Sequence, residues 1–313
     1  MFFKNCCLTV GALLLAGCAK QAARPLERIA AAPLENLSGN AALDWIAAAS
    51  TPLLTMKTAG APGRIVLGVN AEREAAGLRA TQVLRGYYSE HGGQVRLQAA
   101  LYDTESHRMV REFREQGAPG EVLDRLAAAL KQGAVTPTNS AAMQAYGQSV
   151  KETAAGARIA RLQEALRADS GFAPAAIALA QFVSPEEARA TLQSAISKNA
   201  EGWERSRMQL ALATVDRDSA ALLKALESCL RYAPNDTDMA RGLGEALVNR
   251  HRYADGVKWL GRAASLEPHV TQVWNLLAYA NSYAGDFEQA KHSLEQYRKT
   301  AEQDPNAYDT AGE

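Results

Sequence analysis

The sequence predicts an α/β amino-terminal domain, a mixed sheet with helices, followed by an all-α solenoid of helix pairs. Three observations lead there. Between residues 28 and 133, short apolar runs of strand length alternate with stretches of helical spacing. From residue 139 onward, small and apolar positions recur in a helix-pair register starting at Asn139, Ala173, Trp203, Thr237 and Thr271, at spacings of 34, 30, 34 and 34. The composition, 47% hydrophobic and 22% charged, is that of a folded chain and excludes disorder along its whole length. Lys+Arg and Asp+Glu both number 34. The positive surplus of a nucleic-acid binder is missing, and no nucleic acid is expected as a partner.

Residues 1–17 read as a leader. Lys4 precedes an apolar run over residues 6–16, too short for a bilayer, which takes about 20 residues. Leu15-Ala16-Gly17-Cys18 resembles the lipobox of bacterial lipoproteins. That resemblance implies cleavage before Cys18, a diacylglyceryl thioether on its sulfur and acylation of the new amine. Several acyl chains anchor durably where one binds only reversibly. Ala19, not Asp, follows, which by the same resemblance directs the chain to the outer membrane, facing the periplasm. An ordinary signal peptide with a chance cysteine is the plainer alternative. Residues 18–27 would be the lipidated tether. Cys6 and Cys7 leave with the leader, so Cys229 is the one remaining thiol and no intramolecular disulfide can form. Loss of Lys4 leaves 33 positive against 34 negative residues, a net charge of −1.

The α/β part is expected over residues 28–133. Residues 28–34 (RIAAAPL) and 63–69 (GRIVLGV) are strand candidates, and Asn36-Leu37-Ser38-Gly39-Asn40 is a turn cluster between them. Residues 41–56 carry helical spacing through Leu43, Ile46, Ala47, Leu53 and Leu54, with Pro52 expected to kink or split that helix. A second helix is expected over residues 71–80. Strands follow over 82–89 and 94–103, joined by His91-Gly92-Gly93, and over 108–115 after Thr104-Glu105-Ser106-His107. Val95, Leu97, Ala99 and Leu101 alternate, giving one buried face. Residues 119–131 close as an amphipathic helix through Val122, Leu123, Leu126 and Leu130. The expected order is β-α-β-α-β-β-β-α.

The run IAAAPLENLSGNAALDWIA resembles the first strand and helix of TolB amino-terminal-like domains, and GQVRLQAALYD resembles their hairpin strand. The resemblance covers residues 27–132. It implies a module that stands beside helical repeats in some bacterial cyclases and regulators. It is more distantly similar to the periplasmic domains of curli-secretion-type lipoproteins and cell-wall synthase activators. Residues 36–39 read as a tight turn leading into a helix, with a ligand or partner loop as the other reading.

A 34-residue helix-turn-helix unit is the period of tetratricopeptide (TPR) repeats. The repeat from Thr237 matches that family in Ala240, Leu243, Gly244, Gly256, Leu260, Ala263 and Pro268. The repeat from Thr271 matches in Trp274, Leu277, Ala278, Ala290, Leu294 and Tyr297, with Ala284-Gly285-Asp286-Phe287 as its turn. Pro305 comes three residues late, so a longer last helix is expected. The repeat from Trp203 fits in Leu226, Cys229 and Pro234 but poorly in its first helix. Those from Asn139 and Ala173 are degenerate: Ser170 replaces the proline of the first, and the second is four residues short at Ser184-Pro185. The array is expected over residues 139–304, with 305–313 as a flexible tail. One helix pair cannot bury its apolar stripe, so neighbours must stack. The family resemblance implies a concave face lined by Arg207, Asp238, Arg241, Glu245, Asn249, Gln272, Asn275, Tyr279 and Tyr283. Such a groove suits a protein or extended peptide, through backbone hydrogen bonds and aromatic anchors. A solvated face with nothing bound is the alternative. The Lys/Asn carboxylate clamp of chaperone-binding members is not reproduced.

Catalysis finds little support. His91, His107, His251, His269 and His292 form no paired zinc motif, and neither a phosphate-cradling Gly-rich loop nor a nucleophile elbow occurs. Cys229 occupies a small-residue core position, and Glu186-Glu187 stand at a helix start, where acidic residues suit the dipole. No catalytic residue, metal or cofactor is expected. The chain reads as a non-enzymatic, lipid-anchored periplasmic scaffold that binds protein through the repeats; the alternative is an accessory subunit or activator of an envelope enzyme or export machine acting through the α/β domain, and a small-ligand sensor is a weaker third reading. The anchoring expectation has a direct check. Cys18→Ser should release the protein from membranes, because the hydroxyl is not a lipid acceptor in this pathway. A substituted protein that still floats with outer membranes in a density gradient would refute the lipobox assignment.

Overall fold

Strands with apolar residues on both faces need cover on both, and the sheet finds it in helices, turns and the repeat array. The computed structural model describes residues 26–301. The leader, Cys18, and residues 305–313 with Pro305 lie outside the described residues.

Six strands form one mixed sheet: β1 (Glu27–Ala31), β2 (Glu35–Asn36), β3 (Arg64–Gly68), β4 (Gln82–His91), β5 (Gln94–Asp103) and β6 (Met109–Gly117). Their order is β3-β1-β4-β5-β6, with β2 beside β4. β1 runs parallel to β3 and β4, while β4, β5 and β6 are antiparallel neighbours. β3 and β6 are therefore the sheet edges. Helices α1 (Asp44–Lys57) and α2 (Pro119–Lys131) share one core with Ile29, Leu84, Leu97 and Phe113. Ala30 and Val83, on the opposite face, pack with Val69, Ala75 and Ala80.

Three local expectations are corrected. The strand expected over 28–34 ends at Ala31, and the chain re-joins the sheet as β2. Pro33, between them, has no N–H to donate to a ladder. The helix containing Pro52 is continuous from Asp44 to Lys57. Trp45, Ile46 and Ala49 before the proline and Leu53 and Leu54 after it are all buried in the same core, so packing holds the axis through the missing bond. The helix expected over 71–80 is only a 3-10 turn, Glu72–Ala75. Gly77 interrupts it, Arg79 is left-handed at φ 47°, and the stretch is too short to form a helix on its own propensity. The order is thus β-β-α-β-β-β-β-α.

Five helix pairs follow: α3 (Ser140–Lys151) with α4 (Ala155–Ala168), α5 (Ala173–Leu179) with α6 (Pro185–Lys198), α7 (Trp203–Asp216) with α8 (Ser219–Tyr232), α9 (Thr237–Val248) with α10 (Tyr253–Leu266), and α11 (Thr271–Ala284) with α12 (Phe287–Thr300). Side-chain oxygens of Asn139, Ser184, Asp218, Asp236 and Asp286 cap five of these helices. The poorly matching first helix of the third pair forms nonetheless. Met208 is fully buried there, and Ser206 and Ser228 share a buried hydroxyl hydrogen bond of 2.8 Å. The last helix is not longer than its neighbours. α12 has 14 residues, as α10 does, with Thr300 as its last residue and the Ala301 N–H donating to the Tyr297 carbonyl.

The two parts are joined by packing as well as by sequence. Ala142, Met143 and Ala145 of α3, Leu162 and Ala165 of α4, and Phe172 belong to the same core as α1 and the sheet. A second core runs from α8 through α11 around Leu226, Leu243, Leu260 and Leu277. Leu260 is fully buried there, against Gly244, where a Cβ would stand 2.6 Å from Leu260 Cγ. Leu260→Ala should therefore cost about 2–5 kcal/mol and loosen the adjoining pairs, since stability in stacked arrays is shared between neighbours. Thermal unfolding followed by circular dichroism checks this; an unchanged midpoint would contradict the packing.

Candidate functional site

A solenoid joined to a domain at one end can project away from it. The repeats here curve back to the α/β domain instead, and two contacts hold the approach. Arg28 of β1 donates from Nη2 to Glu267 Oε1 at 2.9 Å and from Nη1 to the Leu266 carbonyl at 3.4 Å, across the loop between α10 and α11. The same guanidinium donates twice to the Leu78 carbonyl. With side chains only 9% and 16% exposed, breaking this pair would strand a buried charge, a change worth about 3–5 kcal/mol. The second contact is at Gly60, after α1. Its φ is +75°, and a Cβ there would collide with the Tyr232 carbonyl at the end of α8. Only glycine meets both demands.

A cleft of about 700 Å³ lies between the two parts. One wall is β3 with Thr51, Pro52, Thr55 and Met56 of α1. The other is Trp203 and Arg207 of α7 and the segment from Ala233 to Met239. Arg207 lies over the Trp203 ring at 5.6 Å, and its Nη1 is 3.7 Å from Met239 Sδ. Asp236 caps α9 by accepting from the Met239 N–H at 3.0 Å. Burial raises its pKa above the usual carboxylate value, against smaller opposing effects from that cap and from Arg207. Burial likewise raises Glu204 in the first turn of α7. It lowers His269, beside the Arg28–Glu267 bridge, and pushes the Cys229 thiol to about 11, keeping it protonated at neutral pH.

Of the nine groove residues expected from sequence, Arg207 and Asp238 line this cleft and so face the chain's own sheet domain. Arg241 reaches Asp238 at 3.5 Å and Glu245 at 3.6 Å along α9, so these three are tied to one another. Asn249 and Gln272 are exposed. The Asn275 Oδ1 is buried without a hydrogen bond. Tyr279 and Tyr283 stack at 6.5 Å on α11. Sequence reasoning missed Tyr253, which stacks on Tyr283 at 5.2 Å and meets His251 edge-on, extending the aromatic row. It also missed Trp203, Asp236 and the β3 edge. The β3 segment was readable as a strand, but its edge position depends on strand order. Cys18 lies outside the described residues. No group of three His, Cys, Asp or Glu suited to a metal ion occurs among the described residues, and no described helix is long and apolar enough to cross a membrane.

No protein-family model matches this chain, and no curated protein matches it. Solved structures resemble part of it. YrrB, described as a TPR protein with an unusual peptide-binding site, is 17% identical, with 51% of this chain and 84% of that one covered and a TM-score of 0.43. A MamA protein is 13% identical over 52% of this chain and 91% of its own, TM-score 0.43. MamA from Desulfovibrio magneticus RS-1 is 15% identical over 52% and 97%, TM-score 0.45. Likenesses of this size carry no functional weight of their own.

The buried Asp236 gives a pH test. Its folded pKa lies above the open-chain value of 3.8, so the folded state holds the proton more tightly. The stabilisation this brings is full below 3.8 and is lost as pH rises through the folded pKa. Asn caps helices as well as Asp does and carries no charge to desolvate. Asp236→Asn should thus raise the unfolding midpoint at pH 7, with the advantage shrinking as the medium is acidified below about pH 4. Denaturant melts at both pH values read this directly; an advantage that grows in acid would contradict the burial argument.

Proposed function

We propose that the chain is a non-enzymatic, lipid-anchored scaffold facing the periplasm, which holds protein partners on TPR-type repeats. One observation supports this most: five stacked helix pairs that present polar and aromatic side chains from successive first helices, Arg241 on α9 and Asn275, Tyr279 and Tyr283 on α11. The lipobox at Cys18 supports the anchoring and the compartment.

A second reading is favoured by a specific observation. Arg207 and Asp238 face β3 across the cleft, so partner contact could involve the α/β domain together with the repeats, as in an accessory subunit of an envelope enzyme or export machine. Replacing Arg241, Asn275 and Tyr279 together with Ala separates the two. Tyr279 supplies an aromatic anchor of a kind worth about 2 kcal/mol or more on truncation. The triple variant should lose partner capture in crosslinking from cells while circular dichroism and membrane fractionation stay unchanged. Capture at full strength would move the contact to the α/β domain.

A further inference from the structure

Backbone direction on β3 carries an inference about how a partner is held. The sheet ends at β3, which pairs only with β1. The Glu27 N–H donates to the Gly63 carbonyl and the Val69 N–H to the Ala31 carbonyl. In a parallel ladder this phase turns the N–H and C=O of Ile65 and Leu67 toward β1, and those of Val66 and Gly68 outward into the cleft. Protein edges of this kind are usually covered, or blunted by proline, a bulge or an inward charge. The β3 sequence, Arg-Ile-Val-Leu-Gly, has neither proline nor bulge, and its one charge, Arg64, lines the cleft but is paired with Glu27 at 2.7 Å.

The facing wall adds a charge. Arg207 makes no ion pair among the described residues. The nearby acids each have another partner, Asp238 with Arg241, Glu267 with Arg28 and Asp236 in its helix cap, and of the three Asp236 also feels the charge of Arg207. Three polar atoms around the same cleft, Thr51 Oγ1, Trp203 Nε1 and Thr237 Oγ1, are buried without hydrogen-bond partners. Met56 and Met239, flexible and polarisable, line it as well. A chain added to β3 would run about 4.8 Å from it, within the cleft of about 700 Å³ that these walls enclose.

We infer that the cleft takes an extended acidic segment of another protein as an added strand on β3, its backbone bonded to Val66 and Gly68 and its carboxylate set against Arg207. Main-chain bonds give such a complex its affinity, and the flanking charge gives it polarity and register. The inference rests on the partner-binding reading and names the place and chemistry of contact. It also gives the junction between the two parts a purpose, because neither wall alone makes the site.

The test uses the full chain in its own cells, with p-benzoylphenylalanine in place of Leu67 in one strain and of Tyr283 in another. A segment captured at Leu67 is identified and synthesised, then made again with N-methyl groups on alternate amides along one edge or the other. Binding to the purified protein should fall about tenfold or more when one edge is methylated and persist when the other is. It should fall similarly for Arg207→Ala and for the milder Arg207→Gln, both folded by circular dichroism. Capture at Leu67 that ignores N-methylation, or binding unchanged by both Arg207 variants, overturns the added strand. Capture only at Tyr283 overturns it too, but leaves the scaffold reading standing. Capture at neither position overturns both.

Discussion

The close approach of α3 to α1 sets the geometry of everything beyond it. At Gly147 a Cβ would stand 2.5 Å from the Trp45 carbonyl oxygen and 3.0 Å from the Ala49 Cβ. With no side chain there, the two helices lie backbone to backbone, and the first helix pair joins the core of the sheet. The repeat array therefore leaves the sheet in one fixed direction. Each stacked pair adds its small rotation, and by the third to fifth pairs the loops after α8 and α10 have returned to the far edge of the sheet. Gly60 and Arg28 receive them there. The cleft follows from this loop of contacts, since its walls come from residues far apart in the chain, Thr51 to Gly68 on one side and Trp203 to Met239 on the other.

Such a junction has an energetic cost. Asp236 and Glu204 are charged groups drawn out of water, and burial works against their ionised forms. Trp203 and Thr237 leave polar atoms without partners. Groups of this sort are costly in a fold that has no use for them. Asp236, Trp203 and Thr237 stand on one side of the cleft, opposite the edge of β3.

Much of this was legible in the chain. The five helix pairs begin at Ser140, Ala173, Trp203, Thr237 and Thr271, at or one residue from the register read from small and apolar positions. That pattern is written locally, by Ala240, Gly244, Leu260 and their equivalents. The strands were legible for the same reason, through alternation in β5 and the two glycines of the β4–β5 turn. The failures have physical causes of other kinds. Tertiary packing carried α1 through Pro52, while Gly77 and the left-handed Arg79 left residues 76–80 unwound although Ala80 is packed. The groove residues were assigned from repeat position alone, which holds Tyr279 and Tyr283 together but does not say that Arg207 and Asp238 would meet the chain's own sheet. Strand order and the return of the array are long-range properties, and nothing in the periodicity of either half encodes the distance between them.

The account stands on the sheet and the repeats forming one body. Spin labels at Glu90 on β4 and Lys291 on α12, both exposed, test this with a single distance distribution measured by pulsed electron resonance. One narrow peak is predicted for the intact chain, broadening when Gly147→Leu forces α3 away from α1. A broad or multiple distribution in the intact chain would contradict the account, because the cleft would then have no lasting walls.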